Sequence, residues 1–163
     1  MVSPLQSIFP AGGSRFYYLG ALLSIGLGLL MVMALLPPFV SEPIRDALMH
    51  AFAPVCHQLP ARSPHIDGVS FAVCHRCFGA YTGLFAGSIV YLFVRTWPKG
   101  IRPALALLVA AVPGVIDWSG EVLGIWTNTP VSRMMTGAFF GVLAGLLLAS
   151  AVLDTFQRND TSA

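Results

Sequence analysis

The chain has 163 residues, of which 56% are hydrophobic and only 10% charged, with a net charge of +2. An ordinary soluble domain carries roughly 25% charged residues, so this composition excludes a water-solvated globule and makes the lipid bilayer the first partner. The small net charge gives no electrostatic footprint for nucleic acid, and the length allows one transmembrane domain over 1–163 with no separate soluble module.

An uninterrupted apolar run over 16–36 ends at Pro37-Pro38. At ~1.5 Å per residue it is long enough for a hydrocarbon core of about 30 Å. It is long for a signal-peptide core, and Pro-Pro-Phe follows it in place of a small-residue cleavage site, so a retained helix is expected. In the loop 37–68, Ile44, Leu48, Phe52 and Val55 fall near one helical stripe, with Arg45, Asp46 and His50 mostly elsewhere. That spacing predicts a short amphipathic helix lying in the membrane interface. Three further spans are expected at about 69–94, 103–125 and 131–152. The third is the least regular, with a kink expected at Pro113-Gly114 and with Asp117 and Glu121 before its end. The fold class is therefore an all-α membrane protein: a four-transmembrane-helix bundle with a short amphipathic interfacial helix in the first outer loop.

Basic residues sort by side. Arg15, Arg95, Lys99, Arg102 and Arg158 fall at one membrane face, against Arg45, Arg62 and Arg133 at the other. The positive-inside rule then puts both termini and the 95–102 loop in the cytoplasm of a multi-pass cell-membrane (inner-membrane) protein, with the 37–68 loop outside.

Small residues recur every fourth position in three spans: Gly20, Ser24 and Gly28; Gly79, Gly83 and Gly87; Gly137, Gly141 and Gly145. Lipid supplies no hydrophobic drive for helix association, so such faces are expected to pack by close backbone approach. The stretches 79–87 and 137–145 also resemble each other and run in the same direction, which leaves open a parallel repeat of two hairpins.

All three cysteines lie between Cys56 and Cys77, which points to a local site. Cys74 and Cys77 share a helix face, whereas His75 points about 100° from Cys74. If Cys56 or His57 folds back onto that pair, the result is up to four metal ligands: Cys56, His57, Cys74 and Cys77. Three cysteines with one histidine form a recognised structural zinc set, although adjacent Cys56 and His57 do not form the usual second knuckle. The same residues support thiol redox chemistry, with Cys74 and Cys77 as the catalytic pair and Arg76 favouring a thiolate. Zinc or iron is the expected cofactor of the first reading. A quinone is that of the second, by analogy with four-helix disulfide-generating enzymes, whose second cysteine pair is missing here. The third reading is structural, with the cysteines as small packing residues.

Ionisable groups within a bilayer are costly, which makes Asp117 and its i+4 neighbour Glu121 candidates for binding or proton transfer. Arg76 opens the second span and Arg133 the fourth, so all four groups are expected in the layer of the cysteines. A set of ion pairs that closes the bundle is the alternative. Trp118, Trp126 and Tyr81 are expected as interface anchors in preference to pocket walls.

Cys56-His57-Gln58 with Pro60 and Arg62-Ser63, followed by Cys74-x-Arg76-Cys77-x-Gly79-x-Tyr81-x-Gly83, resembles family 2085 of the domains of unknown function. Pro113-x-x-x-Asp117 and Asn128…Arg133…Thr136-Gly137…Gly141 resemble that family's second block, which adds Asn128 to Arg76 and Arg133 as candidate cofactor-binding residues. The family tends to have a small residue where His75 stands, an aromatic where Pro64 stands, and Asp-Gly where this chain has Asp117-Trp118. The resemblance implies a small polytopic membrane protein and carries no activity. Three functions remain open: a metal or redox site at the outer face, a quinone-linked thiol-disulfide oxidoreductase, or a non-catalytic subunit of a homo-oligomer or larger membrane complex. Whether the chain is an enzyme is left open with them.

Overall fold

The computed structural model describes residues 14–95 and 101–161, the side chains of 14 and 157–161 excepted. Among these described residues, five α-helices follow in order: α1 (Ser14–Leu35), α2 (Glu42–Phe52), α3 (His75–Val94), α4 (Pro103–Val122) and α5 (Pro130–Thr161). Among the described residues, Arg15–Leu35, His75–Val94, Pro103–Val122 and Pro130–Phe156 are long and apolar enough to cross a membrane. The chain is an all-α, four-span membrane protein, with the short amphipathic α2 in its first loop.

The α1 run stops at Pro37, which cannot continue the intrahelical ladder, and a 3₁₀ turn over Pro37–Phe39 redirects the chain. Arg45 fixes that turn, its Nε donating to the Pro37 carbonyl at 3.1 Å. α2 then buries Leu48 and Phe52 on one face. Ahead of α3, His65–Ile66 (β1) pairs antiparallel with Val69–Ser70 (β2) through a turn in which Asp67 and Gly68 take positive φ. Helix α3 therefore begins six residues after the expected Val69, because that two-strand hairpin occupies the start of the segment.

Helices α3 and α5 run parallel in contact along their glycine faces. A Cβ added at Gly79, Gly83 or Gly87 would strike the backbone of α5, at the carbonyls of Met134, Ala138 and Val142. A Cβ added at Gly137, Gly141 or Gly145 would strike the carbonyls of Arg76, Ala80 and Leu84 of α3. α1 lies antiparallel on α3 in a looser manner. Gly28 faces the Phe85 ring, Gly20 faces Leu92, and Ser24 and Ser88 share a buried hydroxyl hydrogen bond of 3.0 Å. α4 runs antiparallel to α5, and at Gly114, next to the internal Pro113, an added Cβ would meet no atom within 4 Å.

Two buried clusters sit at opposite ends. Phe16, Tyr91, Ala149 and Leu153 close one end, where the Arg95 guanidinium lies 4.4 Å over the Phe16 ring and the Tyr91 hydroxyl donates to Asp154 at 2.9 Å. Ala34, Phe52, Cys56, Ala72 and Val73 close the other. Arg95 thus lies with the N-terminus of α1, and Arg62 and Arg133 lie at the cysteine end. Lys99 and the side chain of Arg158 fall outside the described residues.

Candidate functional site

The loop that brings Cys56 to Cys74 is tied at several backbone points. Past the end of α2, the Cys56 N–H donates to the Phe52 carbonyl at 3.0 Å, continuing the helical direction by one turn. Gln58 then takes φ +50°, a left-handed conformation that a residue with a Cβ adopts only when its surroundings hold it there. Its side-chain amide does that, donating to the Met49 carbonyl at 2.7 Å and the Ala72 carbonyl at 2.8 Å. The Ala72 N–H in turn donates to the Ala34 carbonyl at the end of α1, at 3.0 Å. One amide thus joins α2 to the segment entering α3, which sets Cys56 beside Cys74.

Cys74 is the extended N-cap residue of α3 and Cys77 lies in its first turn. The Cys74 N–H donates to the Cys56 sulfur at 3.2 Å, and the three sulfur atoms lie within 4.8 Å of one another. Cys56 is buried and the other two are half-buried, all as free thiols. Hydrogen bonding with the Cys56 thiol, and next with the Cys77 thiol, holds the Cys74 thiol well below the ordinary thiol range.

Around the thiols stands a layer of ion pairs. Arg76 binds Asp117 at 2.5 Å, and Arg133 binds Glu121 at 2.7 Å. Arg62 reaches the same Glu121 oxygen at 3.4 Å, while Asn128 Nδ2 donates to the other at 3.2 Å. His75 donates its Nδ1–H to the Arg62 carbonyl at 2.6 Å, which holds the 3₁₀ turn Pro60–Arg62 against the start of α3. A cavity of about 380 Å³ opens on this layer, lined by the three cysteines, His57, Gln58, Trp118 and the arginines Arg62, Arg76 and Arg133. Asp117 and Glu121 are absent from that wall. The carboxylates thus pair with arginines of the wall without lining it, and Val55, Leu59 and Trp118 add apolar surface beside the cations and sulfur.

A second cavity of about 370 Å³ lies deeper, between α3, α4 and α5, with apolar walls that include Ala80, Ala110, Gly114, Val115 and Phe140. It shares Arg76, Cys77 and Trp118 with the first. The Nε of Arg76 is buried without a hydrogen-bond partner.

The structure therefore brings Cys56, Cys74 and Cys77 together, with Arg76, Arg133, Asp117, Glu121 and Asn128 around them. His57 is exposed and lines the cavity, outside the group of ligand atoms within 4.8 Å. Trp118 is a wall of both cavities, whereas Trp126 packs on Gly120 and Tyr81 packs edge-on against Phe52 with ring centroids 5.9 Å apart. Sequence reasoning gave no role to Gln58 or to Arg62, although both stand in the motif around Cys56. Their marker was the presence of long hydrogen-bonding side chains in a short loop between two candidate ligand pairs. Asp154 was also missed, because the expected fourth span ended two residues before it.

Residues 56–147 match the family described as predicted membrane protein, DUF2085. An uncharacterised protein of Methanocaldococcus jannaschii is similar at 32% identity over 114 residues, which is 69% of this chain and 70% of that protein. The chain belongs to the DUF2085 family. The matched stretch begins at Cys56 and ends inside α5, so it takes in the thiol cluster, the ion-pair layer and the α3–α5 seam. No solved structure matches the chain.

Proposed function

We propose that this protein holds a thiophilic metal ion, zinc or iron, at the cysteine end of the bundle. Cys56, Cys74 and Cys77 are the thiolate ligands, and His57, next in the chain and on the same cavity wall, is the fourth donor. The observation that carries this reading is the convergence of three sulfur atoms within 4.8 Å around a buried Cys56. Tetrahedral thiolates at ~2.3 Å from zinc lie about 3.8 Å apart, so closure on an ion requires movements of roughly 1 Å or less. Charge supports it as well. Three guanidiniums against two carboxylates leave the surrounding layer with one surplus positive charge. A divalent ion on three thiolates carries one negative charge and neutralises it. The split of basic residues between the two ends supports both termini in the cytoplasm and the site on the outer face of the cell membrane.

One observation favours a second reading. The lowered Cys74 thiol sits beside two further thiols, the arrangement of an attacking thiolate in disulfide exchange. Two thiols would then give two protons and two electrons to a bilayer quinone, leaving a disulfide and a quinol.

Metal content and cysteine redox state measured on one purified sample test both. Stoichiometric metal that is lost in a Cys74→Ser, Cys77→Ser double variant is the expected result. Metal-free protein with a partly oxidised Cys74–Cys77 pair would replace the first reading with the second, and metal-free protein with fully reduced thiols would sink both.

A further inference from the structure

The two cavities differ in chemistry and share a wall. The one at the cysteine end is faced by Arg62, Arg76 and Arg133, and the deeper one is apolar and sits between membrane-spanning helices. Arg76 lines both, with its carboxylate partner on one side and an unpartnered buried Nε. A guanidinium fork with spare donors matches phosphate oxygens, and three such groups on one cavity exceed what a single carboxylate head would use. An unpartnered buried donor is costly, and a small shift of the Arg76 side chain toward a ligand oxygen would relieve that cost. The apolar cavity is within the size range of small-molecule sites, and beyond the shared wall its polar side chain is Thr136, whose hydroxyl already donates to the Ser132 carbonyl at 2.9 Å.

We infer that the paired cavities bind a single-chain, phosphate-headed amphiphile of the lipid phase, its head among Arg62, Arg76 and Arg133 and its chain between α3, α4 and α5. This goes beyond the metal reading and does not require it. The ion-pair layer acquires a purpose: Asp117 and Glu121 orient guanidiniums toward the head without entering its cavity. The loose seating of α4 acquires one as well, since the chain needs the space at Gly114 that the α3–α5 seam denies.

The test is binding of dodecyl phosphate to the full-length protein in dodecyl maltoside, followed by native mass spectrometry and by tryptophan fluorescence, with inorganic phosphate as the head-only probe. A 1:1 complex with dodecyl phosphate is expected, about tenfold tighter than inorganic phosphate because its chain fills the apolar cavity that inorganic phosphate leaves empty. Gly114→Leu, whose Cβ would meet no atom within 4 Å on the cavity wall, should weaken dodecyl phosphate about tenfold while leaving inorganic phosphate unchanged. Arg62→Gln, at a half-exposed residue, should weaken both probes several-fold with no loss of folded protein. Equal affinity for both probes would overturn the chain site. Dodecyl phosphate binding that neither variant alters would overturn the whole assignment as mere micelle partition. Metal content measured on the same variants should stay at the wild-type level, which separates failure of this inference from failure of the metal reading.

Discussion

Between α3 and α5, glycines let two backbones touch, whereas Gly114 of α4 faces open space where the third helix stands away from that pair. One residue type thus serves close approach on one side of α5 and vacancy on the other. The difference lies in register. Gly79, Gly83 and Gly87 meet a second helix carrying the same four-residue repeat, so each missing Cβ is matched by a facing carbonyl. Gly114 sits beside Pro113, where the helix loses a backbone hydrogen bond, and no partner glycine faces it. The seam holds the bundle, and the gap beside it leaves a cavity next to Cys77 and Arg76.

That contrast is open to direct disruption. The largest effect is expected for Gly83→Leu, whose side chain would have to displace the α5 backbone at Ala138 and Gly141. More than about 3 kcal/mol should be lost, read as failure to purify folded protein or as a large fall in the detergent-unfolding midpoint. A well-folded Gly83→Leu protein would show that the seam is dispensable.

Gln58→Ala comes next. It removes donors from the Met49 and Ala72 carbonyls and leaves a left-handed backbone without its clamp, at a cost of about 2–3 kcal/mol. Maleimide labelling of the otherwise buried Cys56 should rise in this variant, with little change in the α3–α5 seam. Unchanged Cys56 labelling would mean that α2 packing alone holds the cluster.

Smaller still is Arg133→Met, which leaves half-buried Glu121 only the longer Arg62 contact and the Asn128 amide and should cost about 1–2 kcal/mol in unfolding experiments. Arg62→Met, on the same carboxylate but 45% exposed, should stay within about 0.5 kcal/mol. Equal losses from the two would show that burial does not rank these pairs. The smallest effect belongs to Gly114→Ala. It should be neutral or stabilise by up to about 1 kcal/mol through helix propensity, the opposite sign from any substitution in the seam.

Much of the fold was legible because a bilayer imposes few solutions on an apolar run. Span length, the Pro37-Pro38 stop and the amphipathic stripe of α2 each follow from local pattern, and each is present. The glycine repeats were legible as packing faces, yet they were read as three equivalent ones. The structure separates them: α3 and α5 close on each other's backbones, while α1 offers Gly20 and Gly28 to the side chains of Leu92, Leu153 and Phe85. A repeat marks a face, but which face it meets depends on helix direction and register. Spacing alone does not encode either. The candidate site was legible as residue types. Cys56 and the Cys74–Cys77 pair were named as one group, and the ion-pair layer was expected at the same depth. Arg62 as a second partner of Glu121 was not, because 59 residues separate them and only the fold makes them neighbours.

By itself the sequence determined that this is a four-span helical membrane protein with cysteines, arginines and carboxylates gathered at one end. Hydrophobic length and charge placement are local properties, and the bilayer converts them into topology without reference to the rest of the chain. Tertiary structure alone decided how those groups face one another. It placed three sulfurs within 4.8 Å, paired the guanidiniums with carboxylates around them, and opened an apolar space beneath. The physical reason is that each of these depends on the Gln58 clamp and on the α3–α5 register, and both join segments that are distant in the chain.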